Sequence, residues 1–298
     1  MDGAAIVSIV IMEAHLIPSF FRSRLFRSAL ASAVLLVLTV PAEAQTKRAT
    51  FNGAIDFPTV YFFRGIRQEA DPKFTTFLAG DLGVSLLADG SGAVKTVGFN
   101  VGTWNALMTG SSGSDGPQDD AFYESDFYAG LTLGFGSVSF TPMFTAYTSP
   151  NDMFKTVKEI SFKAAHASKA APYALVAFEI GGDDSGQADG GSNLGTYLEL
   201  GIGPSWPIAD GKATVAIPVK LGLSLNDYYE MGGEDKKFGY IVGGALITVP
   251  LSGGKWNVHG GVDFYGLGDA TGAANADPDT GDPRKGWVIA SGGLGFTF

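Results

Sequence analysis

The sequence predicts an all-β fold: a single transmembrane, antiparallel, up-and-down β-barrel of about twelve strands behind an N-terminal signal peptide. Three observations lead there. Beyond residue 48, apolar residues recur with period two, and a helical period is almost absent. Short and long connections alternate along the chain, except near 69–72 and 150–153, where the links are short and a long one is due. The residues before position 45 have the order of an export signal.

That order is basic, apolar, cleavable. Arg22, Arg24 and Arg27 precede the apolar run Ala29 to Val40, and Ala42-Glu43-Ala44 supplies the small-x-small cleavage site. The run is too short to cross a bilayer as a helix. Residues 1–44 are therefore expected to be a signal peptide, with Met12 as an alternative true start, and residues 45–298 the barrel domain.

Strand-like segments are expected at roughly 49–68, bent or interrupted at Pro58, and at 73–88, 93–108, 122–135, 137–149, 154–167, 172–181, 193–206, 211–225, 237–250, 254–267 and 286–298. Nearly all reach the ~9–11 residues that a tilted strand needs to span a bilayer. In the second, Phe74, Leu78, Leu82, Val84 and Leu86 share one face, while Thr75, Asp81 and Ser85 share the other. In the fourth, Tyr123, Phe127, Leu131 and Phe135 alternate with Glu124, Asp126 and Tyr128. The connections at 89–92, 134–137, 167–171, 207–211 and 251–254 are tight. Those after the third, seventh, ninth and eleventh segments are longer, polar and acidic. Short turns on the periplasmic rim and longer loops on the external rim are the pattern of such barrels. The last segment carries Val288, Ala290, Leu294, Phe296 and Phe298 on one parity, and Phe296 and Phe298 read as a terminal assembly signal.

Composition agrees. The chain has 42 glycines and 22 phenylalanines with only 17% charged residues, a poor mixture for helices because glycine costs about 1 kcal/mol per helical position. There is no cysteine, which removes disulfides and thiolate metal sites. A net charge of −10 argues against nucleic acid as a partner, since phosphate contacts need a basic surface.

Charge on the non-apolar parity is the main functional lead. If the apolar parity faces lipid, then Asp56, Arg64, Asp81, Glu124, Asp126, Glu159, Lys163, Glu179, Glu199, Lys220 and Asp263 face the lumen. Acids outnumber bases there, as in a cation-preferring constriction. Tyr61, Phe63, Trp104, Tyr123, Tyr147, Trp206, Tyr240, Trp256 and Trp287 lie near strand ends and are expected to form interfacial girdles.

Catalytic and metal motifs are weak. A barrel lipase places serine two residues after histidine, with asparagine following. His166-Ala167-Ser168-Lys169 has the serine without the asparagine and sits beside a periplasmic turn, and His259 is followed by two glycines. Asn275, Asp277 and Asp279 alternate as in a calcium loop, but Gly286 stands where its bidentate glutamate belongs. No enzyme activity, cofactor or metal is expected.

Tyr61-Phe62-Phe63-Arg64-Gly65-Ile66-Arg67-Gln68, followed by Pro72, resembles the first-hairpin signature of the Gcw_chp family of bacterial envelope proteins, and Val97 to Trp104 resembles its next strand. The usual Ser-Asp before the tyrosine is replaced by Thr59-Val60. The resemblance implies a barrel and an envelope location and no activity. The expected role is a porin-like passive channel for small polar or cationic solutes in a bacterial outer membrane. The expected partners are outer-membrane lipid and the outer-membrane assembly machinery. A closed structural or surface-binding barrel acting through acidic external loops is the alternative, and a membrane-embedded lipid hydrolase comes third.

Overall fold

A computed structural model describes residues 49–298 apart from 70, 72, 111–119, 182–184, 192 and 252. The expected signal peptide, with Ala42 and Ala44, lies outside the described residues. So does most of the acidic connection after the third strand.

Twelve antiparallel strands follow one another in the chain. They are β1 (Ala49–Pro58), β2 (Phe74–Leu87), β3 (Thr96–Thr109), β4 (Phe122–Phe135), β5 (Val138–Thr148), β6 (Val157–His166) and β7 (Tyr173–Glu179). Then come β8 (Thr196–Ile202 and Ser205–Ile208), β9 (Ala213–Ala216 and Val219–Asn226), β10 (Phe238–Pro250), β11 (Trp256–Leu267) and β12 (Gly286–Thr297). β8 breaks at Gly203-Pro204 and β9 at Ile217-Pro218, where proline cannot donate to the ladder. Each strand pairs with its sequence neighbours, and β12 pairs with β1, which closes the sheet into a barrel. The closing register sets Ile55 opposite Leu294. Closure removes every sheet edge, which is what permits strands to cross hydrocarbon. No described helix is long and apolar enough to cross a membrane.

The outward parity is apolar and exposed. Phe51, Ile55, Leu78, Leu82, Phe127, Leu131, Phe162, Phe178, Leu200, Ile241, Val258 and Leu294 all face away from the lumen. Such a surface would be a liability in water and is the lipid-facing belt of a transmembrane barrel.

Large rings inside a closed wall need room, and glycine supplies it. A Cβ at Gly102 would collide with Tyr128, at Gly201 with Tyr173, and at Gly222 with Tyr240. At these positions glycine stands on the wall where a tyrosine lies against it.

The structure corrects the sequence at three places. First, β1 ends at Pro58 rather than continuing to residue 68. Residues 59–69 turn into the lumen, and Phe62–Phe63 pairs with Ile66–Arg67 as a small hairpin. Second, most of the expected girdle aromatics are internal. Tyr61, Tyr123 and Tyr240 are buried inside, Phe63 and Trp104 pack beside them, and Trp287 packs against Phe62. Trp206 and Trp256 are the ones that sit exposed on the outer surface. A bulge explains Tyr123: the ladder from β3 to β4 skips it, pairing Ala106 with Glu124 and Leu107 with Phe122, so Tyr123 joins Glu124 on the inside. Third, a short helix α1 (Asp269–Ala274) occupies the connection before β12, where a solvated acidic loop is expected.

The lipid-facing assignment makes a quantitative prediction. Leu82→Arg, inside the belt, should destabilise the barrel by about 2–4 kcal/mol. Asn100→Arg, facing inward beside Asp81, should cost far less. Urea unfolding in lipid vesicles measures both.

Candidate functional site

The site is the lumen, and its two halves differ. Towards the rim that carries the long connections it is filled by the hairpin of the first connection. Phe63-Arg64-Gly65-Ile66 forms the tip. Arg64 and Gly65 both have positive φ (48° and 83°), the signature of the type I′ turn that suits a two-residue hairpin loop. Gly65 also lies against the Tyr240 ring, so a side chain there would be excluded twice over.

Arg64 anchors this plug. Its guanidinium donates to both oxygens of Glu159 on β6, at 2.6 and 2.9 Å, and to the Tyr228 hydroxyl at 2.8 Å. The pair is almost fully enclosed, with side-chain exposures of 11% and 3%. The guanidinium also lies 4.1 Å from the centroid of the Tyr197 ring and 5.0 Å from that of Phe63. Burial alone would lower the Arg64 pKa, but Glu159 more than offsets it, so the group is held above its ordinary value.

Further ties come from distant connections. The Tyr229 hydroxyl donates to the Arg64 carbonyl at 3.0 Å. Asn275, fully buried just after α1, donates to the Gly65 carbonyl at 2.8 Å and accepts from the Arg67 amide at 2.9 Å. Tyr123 donates to Gln68 at 2.9 Å. The calcium-loop spacing is thus occupied otherwise: Asn275 ties the plug, and Asp277 pairs with Arg284 at 2.5 Å, which holds its carboxyl below the usual range.

Around the plug the wall is polar and mostly hydrogen-bonded, although Asp126 Oδ1 and Trp287 Nε1 are buried without a hydrogen-bond partner among the described residues. Glu199 accepts from three tyrosine hydroxyls, Tyr173 at 2.5 Å and Tyr197 and Tyr240 at 2.8 Å each. Glu179 accepts from the Ala188 and Gly195 amides, both at 2.7 Å, drawing the connection after β7 back over the lumen. In that connection burial pushes the Asp189 carboxyl up, against amide donors from Gly191 and Glu230. Glu124 and Asp126 are neighbours on β4 and are buried.

The other half of the lumen is wet. Lys163 and Lys220 face inward yet are exposed, so water reaches them. Lys163 lies 4.3 Å from the Tyr173 ring centroid, and Lys220 acts electrostatically on both Glu199 and Asp263. Asp81 accepts from Asn100 at 3.2 Å. Asp56 is 2.5 Å from His259, whose other ring nitrogen lies 3.0 Å from Asn257.

Of the charged residues assigned to the lumen from alternation, Arg64 lies on the plug rather than the wall, Glu159 pairs with it, and Glu199 and Asp263 both lie near Lys220. Sequence reasoning missed Asn275, Tyr228 and Tyr229, because connections have no parity to read. A Tyr-Tyr pair in an otherwise polar connection was the available hint. His166 lies at a tight turn, and no serine hydroxyl is hydrogen-bonded to either imidazole among the described residues.

No protein-family model and no curated protein matches the chain. Among solved structures it is similar to a NanC porin, at 10% identity and a TM-score of 0.47, over 83% of this chain and 98% of that one. It is also similar to outer membrane phospholipase A from Escherichia coli, at 10% identity and a TM-score of 0.44, over 83% of this chain and 95% of the other. A KdgM porin is similar at 8% identity and a TM-score of 0.41, over 84% and 99%. At such identities these likenesses say nothing about chemistry.

The plug's anchor can be tested by a double-mutant cycle. Arg64→Ala and Glu159→Ala should each cost about 3–5 kcal/mol, because each leaves a buried charge without its partner. The double variant should cost much less than their sum. Urea unfolding gives all three values, and additive costs would contradict the assignment.

Proposed function

We propose that the chain is a bacterial outer-membrane barrel acting as a narrow passive channel for small polar or cationic solutes, with the Arg64 hairpin setting its conductance. The observation that carries this reading is the division of the lumen. One half is open to water and lined by Asp56, Asp81, Asp263, Lys163 and Lys220. The other half is occupied by a chain segment held only by non-covalent bonds. Acids outnumber bases along this path, and a carboxylate-rich wall favours cations.

The cellular setting belongs to the same proposal. The chain is exported on a signal peptide cleaved after Ala44, and the assembly machinery recognises Phe296 and Phe298. Strand polarity then places the tight turns in the periplasm and the plug at the outer mouth. Kinship with the Gcw_chp family is part of this reading, supported by a signature whose residues Tyr61, Phe63, Arg64, Gly65 and Gln68 all belong to the plug. A second reading, a closed structural barrel that acts through its acidic external connections, is favoured by the near-complete burial of Glu159, Tyr228 and Tyr229.

Planar-bilayer recordings separate the two. The channel reading expects small, cation-selective steps from the native protein. Arg64→Gln combined with Glu159→Gln loosens the plug without stranding a charge, and should raise step size several-fold. Bilayers silent with both proteins would overturn the channel and leave the closed barrel.

A further inference from the structure

We propose that a cleft at the outer mouth, between the plug and the connections after β5 and β7, binds a compact organic ammonium cation. The cleft has a volume of about 80 Å³, room for a ligand of a few heavy atoms, and is partly open to solvent. Phe63 and Tyr147 form one wall, with ring centroids 5.3 Å apart and planes at 64°. Tyr123 and Phe154 form another, at 5.5 Å and 60°. Glu124 also lines the cleft, beside Asp126 and the Tyr61 hydroxyl. The Gln68 side chain completes the lining used here.

Aromatic faces carry negative potential and attract cations, most strongly where water is excluded. A carboxylate beside them adds charge complementarity. Among the described residues that line the cleft there is neither lysine nor arginine. Arg64, which approaches Phe63 from the plug, is neutralised by its two bonds to Glu159. The molecule already uses this chemistry elsewhere: Arg64 sits over Tyr197 with a carboxylate at its end, and Arg284 over Trp287 does the same with Asp277. The cleft repeats the same combination of rings and carboxylate without a cation of its own. Aromatic walls favour a methylated or otherwise weakly hydrated ammonium over a bare metal ion, which would keep its water.

Phe63, Tyr123, Glu124 and Tyr147 belong to the lumen side of the barrel, away from the lipid belt. The ligand is therefore a free solute rather than a membrane headgroup. The inference uses the proposed orientation but does not need a conducting lumen, so silent bilayers would leave it standing.

The experiment is calorimetric titration of the folded full-length barrel, in a maltoside detergent, with choline and with its neutral isostere 3,3-dimethylbutan-1-ol. Choline should bind saturably, and the isostere at least about tenfold more weakly, because only the charge differs. Phe154→Ala and Glu124→Gln should each weaken choline binding by about tenfold or more, with heat-modifiable gel mobility confirming the fold. Phe154→Leu keeps the bulk without the ring and replaces Phe154→Ala if that variant fails to fold. Absence of choline binding, equal affinity for the isostere, or unchanged affinity in both variants would overturn the proposal. Competition from a phosphocholine-headed detergent would overturn the free-solute assignment.

Discussion

The ion pair between Arg64 and Glu159 decides what one half of this barrel is. A carboxylate on the inner wall of a wide, wet lumen would be hydrated and unremarked. Here the segment that leaves β1 delivers a guanidinium to it, and both groups leave water together. Such a pair gains little over a hydrophobic isostere, but removing one partner is costly, so it fixes position more than it adds stability. In this placement the hairpin satisfies Glu159, Tyr228 and the Gly65 carbonyl at once. The left-handed backbone at Arg64 is tolerated because those contacts over-determine it.

Packing around the pair follows from composition. Tyrosines bring bulk and a hydroxyl, which suits an interior that is neither dry core nor open channel. Their rings lie against wall glycines, and their hydroxyls converge on Glu199 or on the plug's backbone. The result is two clusters inside one barrel, one around Tyr197, Tyr228 and Tyr240 and one around Tyr61 and Tyr123. The cleft proposed to bind ammonium lies beside the second, lined by ring pairs that pack edge-on or tilted against one another.

The strands were legible because alternation reports directly on a wall with lipid on one side and water on the other. Leu78 and Leu82 could only face out, and Asp81 only in. Register failed where one extra residue was inserted, at Tyr123, since a bulge leaves composition unchanged while reversing a side chain. The end of β1 was hidden because Tyr61-Phe62-Phe63 has the β propensity of a strand whether it continues the wall or enters the lumen. Pro58 was the local signal that the strand stops. Asn275 was illegible in a stronger sense: its partners on the plug are more than 200 residues away, and its spacing imitated a metal loop.

Function in this account depends on whether the outer half of the lumen is closed by a settled plug or merely overlain by a loop. Amide hydrogen exchange of the folded protein in detergent reads that difference directly. The segment 60–68 should exchange as slowly as the barrel strands, and Glu159→Gln should accelerate it well before the strands respond. Exchange of 60–68 in the native protein at the rate of an open surface loop would contradict the plug.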